Sequence, residues 1–217
     1  MERILVDEKT GNRYLLKSLS EVTTEKKLKV AFIPGHHSAS MGDWSHILKK
    51  HEWSFWAAWV HTYMPDVCRR VGVEGVVIQH DPTINSYIER QKKTAEQVRE
   101  AGCDLALEFH WNSFDPDNDG DDDASGCEAL VCEINTPVTV AAEHWAIVLN
   151  NILKYKNRGL KLLDSNSNGY GFLSSMPCPA ILLEWFFADS EDAVKFTNEA
   201  GIESLILLIN KFKKLTQ

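Results

Sequence analysis

His36, Glu52, His110 and Glu184 are the side chains whose types and positions could together do chemistry. His36 follows the apolar run 28–33 in AFIPGHH, and His110 follows the run 105–109 in DLALEFHWNS. If both runs are parallel strands of one sheet, the two imidazoles emerge at its carboxyl edge, where open α/β sheets carry their ligands. Glu52 opens a helical pattern sixteen residues after His36, and a helix starting there begins at the same edge. Two imidazole nitrogens and one carboxylate oxygen form a donor set suited to catalytic zinc, which keeps a further coordination position open. Glu184 ends the apolar run 179–183 and precedes Trp185, Phe186 and Phe187. Burial among such neighbours raises a carboxyl pKa, and a carboxyl tuned in this way can carry protons near neutrality. The combined pattern reads as metal-assisted hydrolysis. Taken singly, each residue has a simpler reading: a strand-end histidine is commonly structural or solvated, and an acid near a helix N-terminus is favoured by the helix dipole. Glu184 is harder to dismiss, because a buried unpaired charge costs several kcal/mol and requires a partner or a task.

The elements that must position these residues follow from periodicity. Apolar and β-branched runs predict strands over 28–33, 71–79, 105–109, 129–134 and 180–185. Between them, spacing near 3.6 residues predicts helices over 51–71, 86–102, 138–155 and 191–215. This alternation predicts one layered α/β domain over 28–217, preceded by an extension or hairpin over 1–27 around Thr10-Gly11-Asn12. Three segments break the pattern and are candidate functional loops: polar 38–50, acidic 115–126 and Gly/Ser/Asn-rich 164–175.

Composition narrows the class. At 217 residues, with 44% hydrophobic and 25% charged residues, the chain is an ordinary globular one, which excludes disordered, collagenous and coiled-coil proteins. The 31 acidic against 23 basic residues give a net charge of -8, so nucleic acid is not an expected partner. No run approaches the ~18–20 apolar residues that span a bilayer, so no membrane insertion is expected. Glu2, Asp7 and Glu8 stand where a signal peptide needs apolar residues, which predicts synthesis without an export signal. Five cysteines, an odd number without a CxxC pair, predict reduced and mostly buried thiols.

Gly35-His36, then Glu52, then His110-Trp111-Asn112, then Pro179-Ala180-Ile181-Leu182-Leu183-Glu184 with Phe187, in this order, resemble the motifs of the zinc-dependent N-acetylmuramoyl-L-alanine amidases. These are the peptidoglycan amidases of bacterial autolysins and phage endolysins. The resemblance covers about 28–200 and includes Asn157-Arg158-Gly159-Leu160-Lys161 before the last strand. It implies a three-layer α/β fold of the phosphorylase/hydrolase-like kind, with a twisted, mixed, mostly parallel sheet flanked by helices. It implies Zn2+ held by His36, Glu52 and His110, with Glu184 as the catalytic carboxylate. It further implies peptidoglycan as partner and hydrolysis of the N-acetylmuramic acid to L-alanine amide without a covalent enzyme intermediate, leaving Cys127, Cys178, Ser174 and Ser175 non-nucleophilic. Arg90, Trp111, Asn112 and His80 are the candidate substrate contacts, and Trp44 is a further one. The chain departs from the family pattern at His37 in place of a second Gly, Glu108 in place of a Ser, and Phe186 in place of a Gly; Arg90 also stands farther from His110 than is usual. These changes bear on substrate fit and loop shape more than on the metal set. A monomer acting on the wall after release, as a phage-type lysin does, is the expected setting.

Other readings stand beside this one. His37 adjoins His36 and offers a competing ligand, although adjacent side chains in extended chain point apart. Asp115 to Gly120 opens like a calcium loop, but Gly126 occupies the twelfth position where a bidentate Glu is needed, so a solvated acidic loop at the cleft rim is preferred. Trp56 and Trp59, at helical spacing, are expected in the core. A zinc amidohydrolase or carboxypeptidase for another amide would use the same ligands, with Arg90 or Arg158 for a free carboxylate. A non-catalytic wall- or calcium-binding module is the reading from outside the enzymes.

Overall fold

The central strands of the sheet are built from runs too apolar to face water on either side. In the computed structural model, which describes residues 3–6, 13–16, 26–114 and 124–217, β1 (Arg3–Val6) pairs antiparallel with β2 (Arg13–Leu16), apart from the main sheet. The first strand of the main sheet is β3 (Lys29–Pro34), whose last five residues are all buried. A small antiparallel pair, β4 (Trp44–Ser45) and β5 (Lys50–His51), then leads into α1 (Glu52–Val71). There follow β6 (Glu74–Val77), α2 (Tyr87–Ala101), β7 (Leu105–Asn112), β8 (Cys127–Val131) and α3 (Pro137–Leu153). The chain finishes through β9 (Asn157–Leu162), α4 (Tyr170–Ser175), β10 (Ala180–Phe187), α5 (Glu191–Lys195) and α6 (Asn198–Thr216).

The six-stranded sheet has the order β6-β3-β7-β10-β8-β9. The first four strands are mutually parallel, β8 runs antiparallel to β10, and β9 is parallel to β8. Helices α1, α3 and α6 cover one face through Trp56, Trp145 and Leu208, while α2 and α4 cover the other through Val98 and Phe172. The expected three-layer, mostly parallel α/β fold is therefore the observed one. Among the described residues no helix is long and apolar enough to cross a membrane.

The differences from the sequence reading have local causes. β9 was not foreseen as a strand because it is an edge strand with no fully buried residue, so it lacks the apolar run that marks β7 and β10. The expected strand over 71–79 shortens because Val71 completes α1 and Gly72 closes that helix in the left-handed conformation. The last expected helix is two: α5 and α6 start afresh at Ser190 and Thr197, whose side chains accept from Asp192 N–H and Ala200 N–H. All five cysteines are free thiols; Cys127 is buried and the others partly so.

Trp56 and Trp59 lie in the core, as expected, 0% and 4% exposed. Trp185 stands at the centre of their cluster: it stacks on Phe109 at 5.7 Å, meets Trp56 at 5.3 Å, and takes Trp145 edge-on at 5.0 Å. Because this residue follows Glu184 on the opposite face of β10, it anchors the strand that carries the acid. Trp185→Ala should lower stability by about 3–5 kcal/mol, measured by urea denaturation; a loss below about 1 kcal/mol would show that the cluster does not bear the strand.

Candidate metal centre and active-site cleft

β3 ends at Pro34, and Gly35 continues the ladder by donating its N–H to Phe109 O at 2.9 Å. His36 then adopts φ 63, a left-handed conformation uncommon for a residue with a Cβ. Such local strain is maintained when surrounding contacts over-determine it. Gly35 must be glycine for a steric reason, since a Cβ there would lie 2.2 Å from His110 Cε1. The second imidazole thus rests against bare backbone.

Glu52 occupies the first turn of α1, where the exposed N–H groups of a helix favour an acid. The segment before it folds back on the helix start: Glu52 N–H donates to Asp43 O at 3.0 Å and Trp53 N–H to Met41 O at 2.9 Å. Gly42, at φ 72, lets this segment pass close; a Cβ would lie 2.6 Å from His36 Cδ2 and 2.7 Å from Glu52 Oε2. The polar loop of the sequence is therefore the wall that encloses the carboxylate.

His36 Nε2 lies 3.1 Å from Glu52 Oε2, and His110 Nδ1 lies 2.8 Å from Glu52 Oε1, which also accepts Trp111 N–H at 3.0 Å. One donor atom from each of His36, Glu52 and His110 falls within 4.8 Å of the others. Glu52 is 2% exposed, and among the described residues its ion-pair partners are these two imidazoles. Burial pushes its carboxyl up, but the hydrogen bonds and charge of His110 and His36 outweigh that and hold it at about 2. A buried carboxylate flanked by two convergent imidazoles, with room left by two glycines, fits a divalent cation of borderline softness.

Glu184 in β10 pairs in register with His110 in β7 and with Glu128 in β8, so the three side chains form a row across one face of the sheet. Its Oε2 is sealed from solvent and, among the described residues, has no hydrogen-bond partner. Burial pushes Glu184 up to about 8; His110 opposes this, and Glu52, Glu128 and Glu108 reinforce it. Glu128, next in the row, behaves oppositely. Burial raises it, but Lys161 Nζ at 2.6 Å and Arg158 Nε at 2.8 Å bring it below the usual carboxylate range. Neighbouring carboxyls whose environments separate their pKa values are what proton transfer requires.

These groups open into a cleft of about 480 Å³ that His36, His80, Arg90, Glu108, His110 and Glu184 help to line. Arg90 is fixed there by donating Nη1–H to Ile84 O at 2.8 Å. His80 forms an inner wall at 3% exposure. Asn112 lies farther along β7, its Nδ2 3.5 Å from Glu128 Oε1. Trp111 is placed otherwise than the sequence reading expected. At 3% exposure its ring sits against Phe55 and Phe186, because strand alternation sends residues 109 and 111 to the face opposite His110. It contributes its backbone N–H to Glu52 instead of a ring to substrate. His37 is buried and is not one of the three convergent donors, its backbone pairing with Ser40. Trp44 is 44% exposed and meets His51, the residue before Glu52, edge-on at 5.0 Å. Residues 115–123 of the acidic loop lie outside the described residues.

A second cavity, of about 450 Å³, opens at the opposite end of β10 between Cys132, Met176 and Cys178. Burial pushes the Cys178 thiol up to about 12, so it offers no thiolate for chemistry. In the sequence Glu108 stands out only as a departure from a family pattern; its spacing two residues before His110, on the same strand face, is the signal that could have placed it in the cleft. Gly35→Ala should leave a folded protein in which the His110 ring is displaced and zinc affinity falls ~10-fold or more. Chelator competition alongside thermal unfolding checks this; undiminished affinity would mean that the ring is not held where zinc needs it.

No protein-family model matches the sequence, and no curated protein matches it. Comparison with solved structures gives a consistent set of neighbours. The N-acetylmuramoyl-L-alanine amidase from Clostridium difficile 630 superposes with a TM-score of 0.67 at 15% identity, covering 88% of this chain and 100% of that one. The catalytic domain of the CD27L endolysin targeting Clostridia difficile gives 0.66 at 23% identity, covering 86% and 97%. The catalytic domain of CwlV, an N-acetylmuramoyl-L-alanine amidase from Bacillus (Paenibacillus) polymyxa, gives 0.67 at 14% identity, covering 87% and 99%. The chain has the fold of these amidase catalytic domains.

Proposed function

We infer that this protein is a zinc-dependent N-acetylmuramoyl-L-alanine amidase that cleaves the amide between N-acetylmuramic acid and L-alanine in peptidoglycan. The observation that carries the reading is the convergence of His36, Glu52 and His110 beside the sealed, unpartnered carboxyl oxygen of Glu184, in a fold shared with such amidases. His36 Nε2, His110 Nδ1 and the Glu52 carboxylate are the atoms that would hold the ion. Zinc, when bound there, supplies Lewis acidity for the substrate carbonyl and lowers the pKa of a water toward ~7.

The remaining chemistry belongs to the chain. Glu184 takes the proton of the attacking water and returns it to the leaving amine; its raised pKa favours holding that proton until the amine leaves. Oε2 is sealed from bulk water, so the proton it carries is kept for the amine. Arg90, held rigidly on the cleft wall, offers a cation to a carboxylate of the stem peptide, and Trp44 offers an exposed ring to glycan. No step calls on a thiol or hydroxyl nucleophile. We place the enzyme as a phage-type lysin, a setting that the endolysin domain among its neighbours supports; export by its own bacterium during ordinary growth would contradict it.

Digestion of purified sacculi tests the reaction. Free muramyl lactate carboxyl groups and L-alanine amino termini should appear, disappear with a chelator, and return with zinc. New reducing sugars, or cuts inside the stem peptide, would contradict the proposed bond. Glu184→Gln should lower kcat by ~10²–10⁴-fold with zinc content unchanged; near-normal turnover in this variant would remove Glu184 from the mechanism.

A further inference from the structure

Glu108 is a buried acid in the cleft that the mechanism above does not use. It is 2% exposed on β7, and among the described residues its ion-pair partners are two histidines. Its Oε1 lies 2.7 Å from His80 Nε2, and its Oε2 lies 3.4 Å from His110 Nε2. The other nitrogen of His110, Nδ1, is the one that faces Glu52 at 2.8 Å. The two edges of the His110 ring are therefore assigned to different neighbours: Nδ1 to the triad, Nε2 to Glu108.

The far end of the chain of contacts is fixed as well. Thr94 Oγ1 donates to Arg90 O at 3.1 Å, one turn back on α2, and this commits its proton. The same oxygen lies 2.8 Å from His80 Nδ1 and so accepts a hydrogen bond from that ring. With Nδ1 of His80 donating to Thr94, its Nε2 edge is turned to Glu108 Oε1, and Glu108 is held with Oε2 toward His110. Glu108 only accepts, and with Nδ1 and the Glu52 carboxylate both given to an ion in the triad, the hydrogen of a neutral His110 ring would sit on Nε2, against Glu108 Oε2, leaving the lone pair on Nδ1.

We propose that Glu108, oriented by His80 and Thr94, is a positioning residue that fixes the His110 tautomer with hydrogen on Nε2 and the lone pair on Nδ1, aimed at the metal centre. The inference rests on the reading of the triad as a zinc site and concerns how that site is prepared, not which bond is cut. Outer carboxylates of this kind set ring orientation and ligand basicity, and their loss costs ~10–100-fold in metal affinity. The geometry also separates orientation from charge. A glutamine at 108 can still accept from His110 Nε2–H through its amide oxygen while its NH₂ donates to His80 Nε2; a leucine fills similar space and does neither.

The test is zinc affinity by chelator competition for wild type, Glu108→Gln and Glu108→Leu, with thermal unfolding as the check on folding. Wild type and Glu108→Gln should bind within ~3-fold of each other, and Glu108→Leu ~10–100-fold more weakly. Equal affinity in all three, or an equal loss in both variants, overturns the tautomer role while leaving the zinc site standing. Absence of zinc binding by wild type overturns the site and the inference together. Should Glu108→Leu not fold, long-range ¹H–¹⁵N correlation of the histidine rings in zinc-loaded wild type decides: a protonated Nε2 and metal-bound Nδ1 on His110 support the proposal, and the reverse pattern overturns it.

Discussion

A buried carboxylate that, among the described residues, pairs with no lysine or arginine is the constraint around which this molecule is arranged. Glu52 is almost fully enclosed, and leaving such a charge uncompensated costs several kcal/mol. Its compensation comes from the start of α1, from Trp111 N–H, and from two imidazoles that lie far from it and from each other in sequence. Each source imposes something on the fold. The helix must begin at the strand edge, β7 must run far enough to bring Trp111 beside it, and Gly35 and Gly42 must lack side chains so that the rings and the carboxylate can close up. One divalent cation would satisfy all three donors at once.

The sheet supplies the second half of the site by simple periodicity. Alternation along β7 turns Glu108 and His110 toward the cleft and Phe109 and Trp111 toward the aromatic core. Parallel pairing then sets Glu184 level with His110, and antiparallel pairing sets Glu128 level with Glu184. The acids in this row differ in company. Glu128 has two cations from β9 and stays ionised, whereas Glu184 has an unpartnered oxygen and holds its proton more strongly. An edge strand that was hard to see in the sequence is thus what makes the two carboxyls chemically unlike.

How much of this was legible depends on whether the signal was local. The long buried strands β3, β7 and β10 announce themselves as apolar runs, and histidines at the ends of two of them mark the edge where ligands gather. Helix α1, with Glu52 at its start, is equally plain from its periodicity. What was not legible depends on partners distant in sequence. β9 is a strand because β8 offers it an edge, not because its residues are apolar. Trp111 looked like a cleft residue by adjacency to His110, yet strand alternation sends its ring the other way. Glu108 is a mere departure from a pattern in the sequence, because the partner that gives it meaning, His80, is twenty-eight residues away. Resemblance to known amidases located the four motifs, but the strain at His36 and the pairing of ring edges to carboxylates exist only in three dimensions.

X-ray absorption at the zinc edge of the reconstituted protein tests the central claim most directly, because it reads the atoms around the ion whatever the substrate proves to be. One zinc per chain with scattering from two imidazoles and a light oxygen donor, losing one imidazole in His36→Ala, is the expected result. Sulfur in the first coordination sphere, or a spectrum of hydrated zinc without imidazole, would contradict the account.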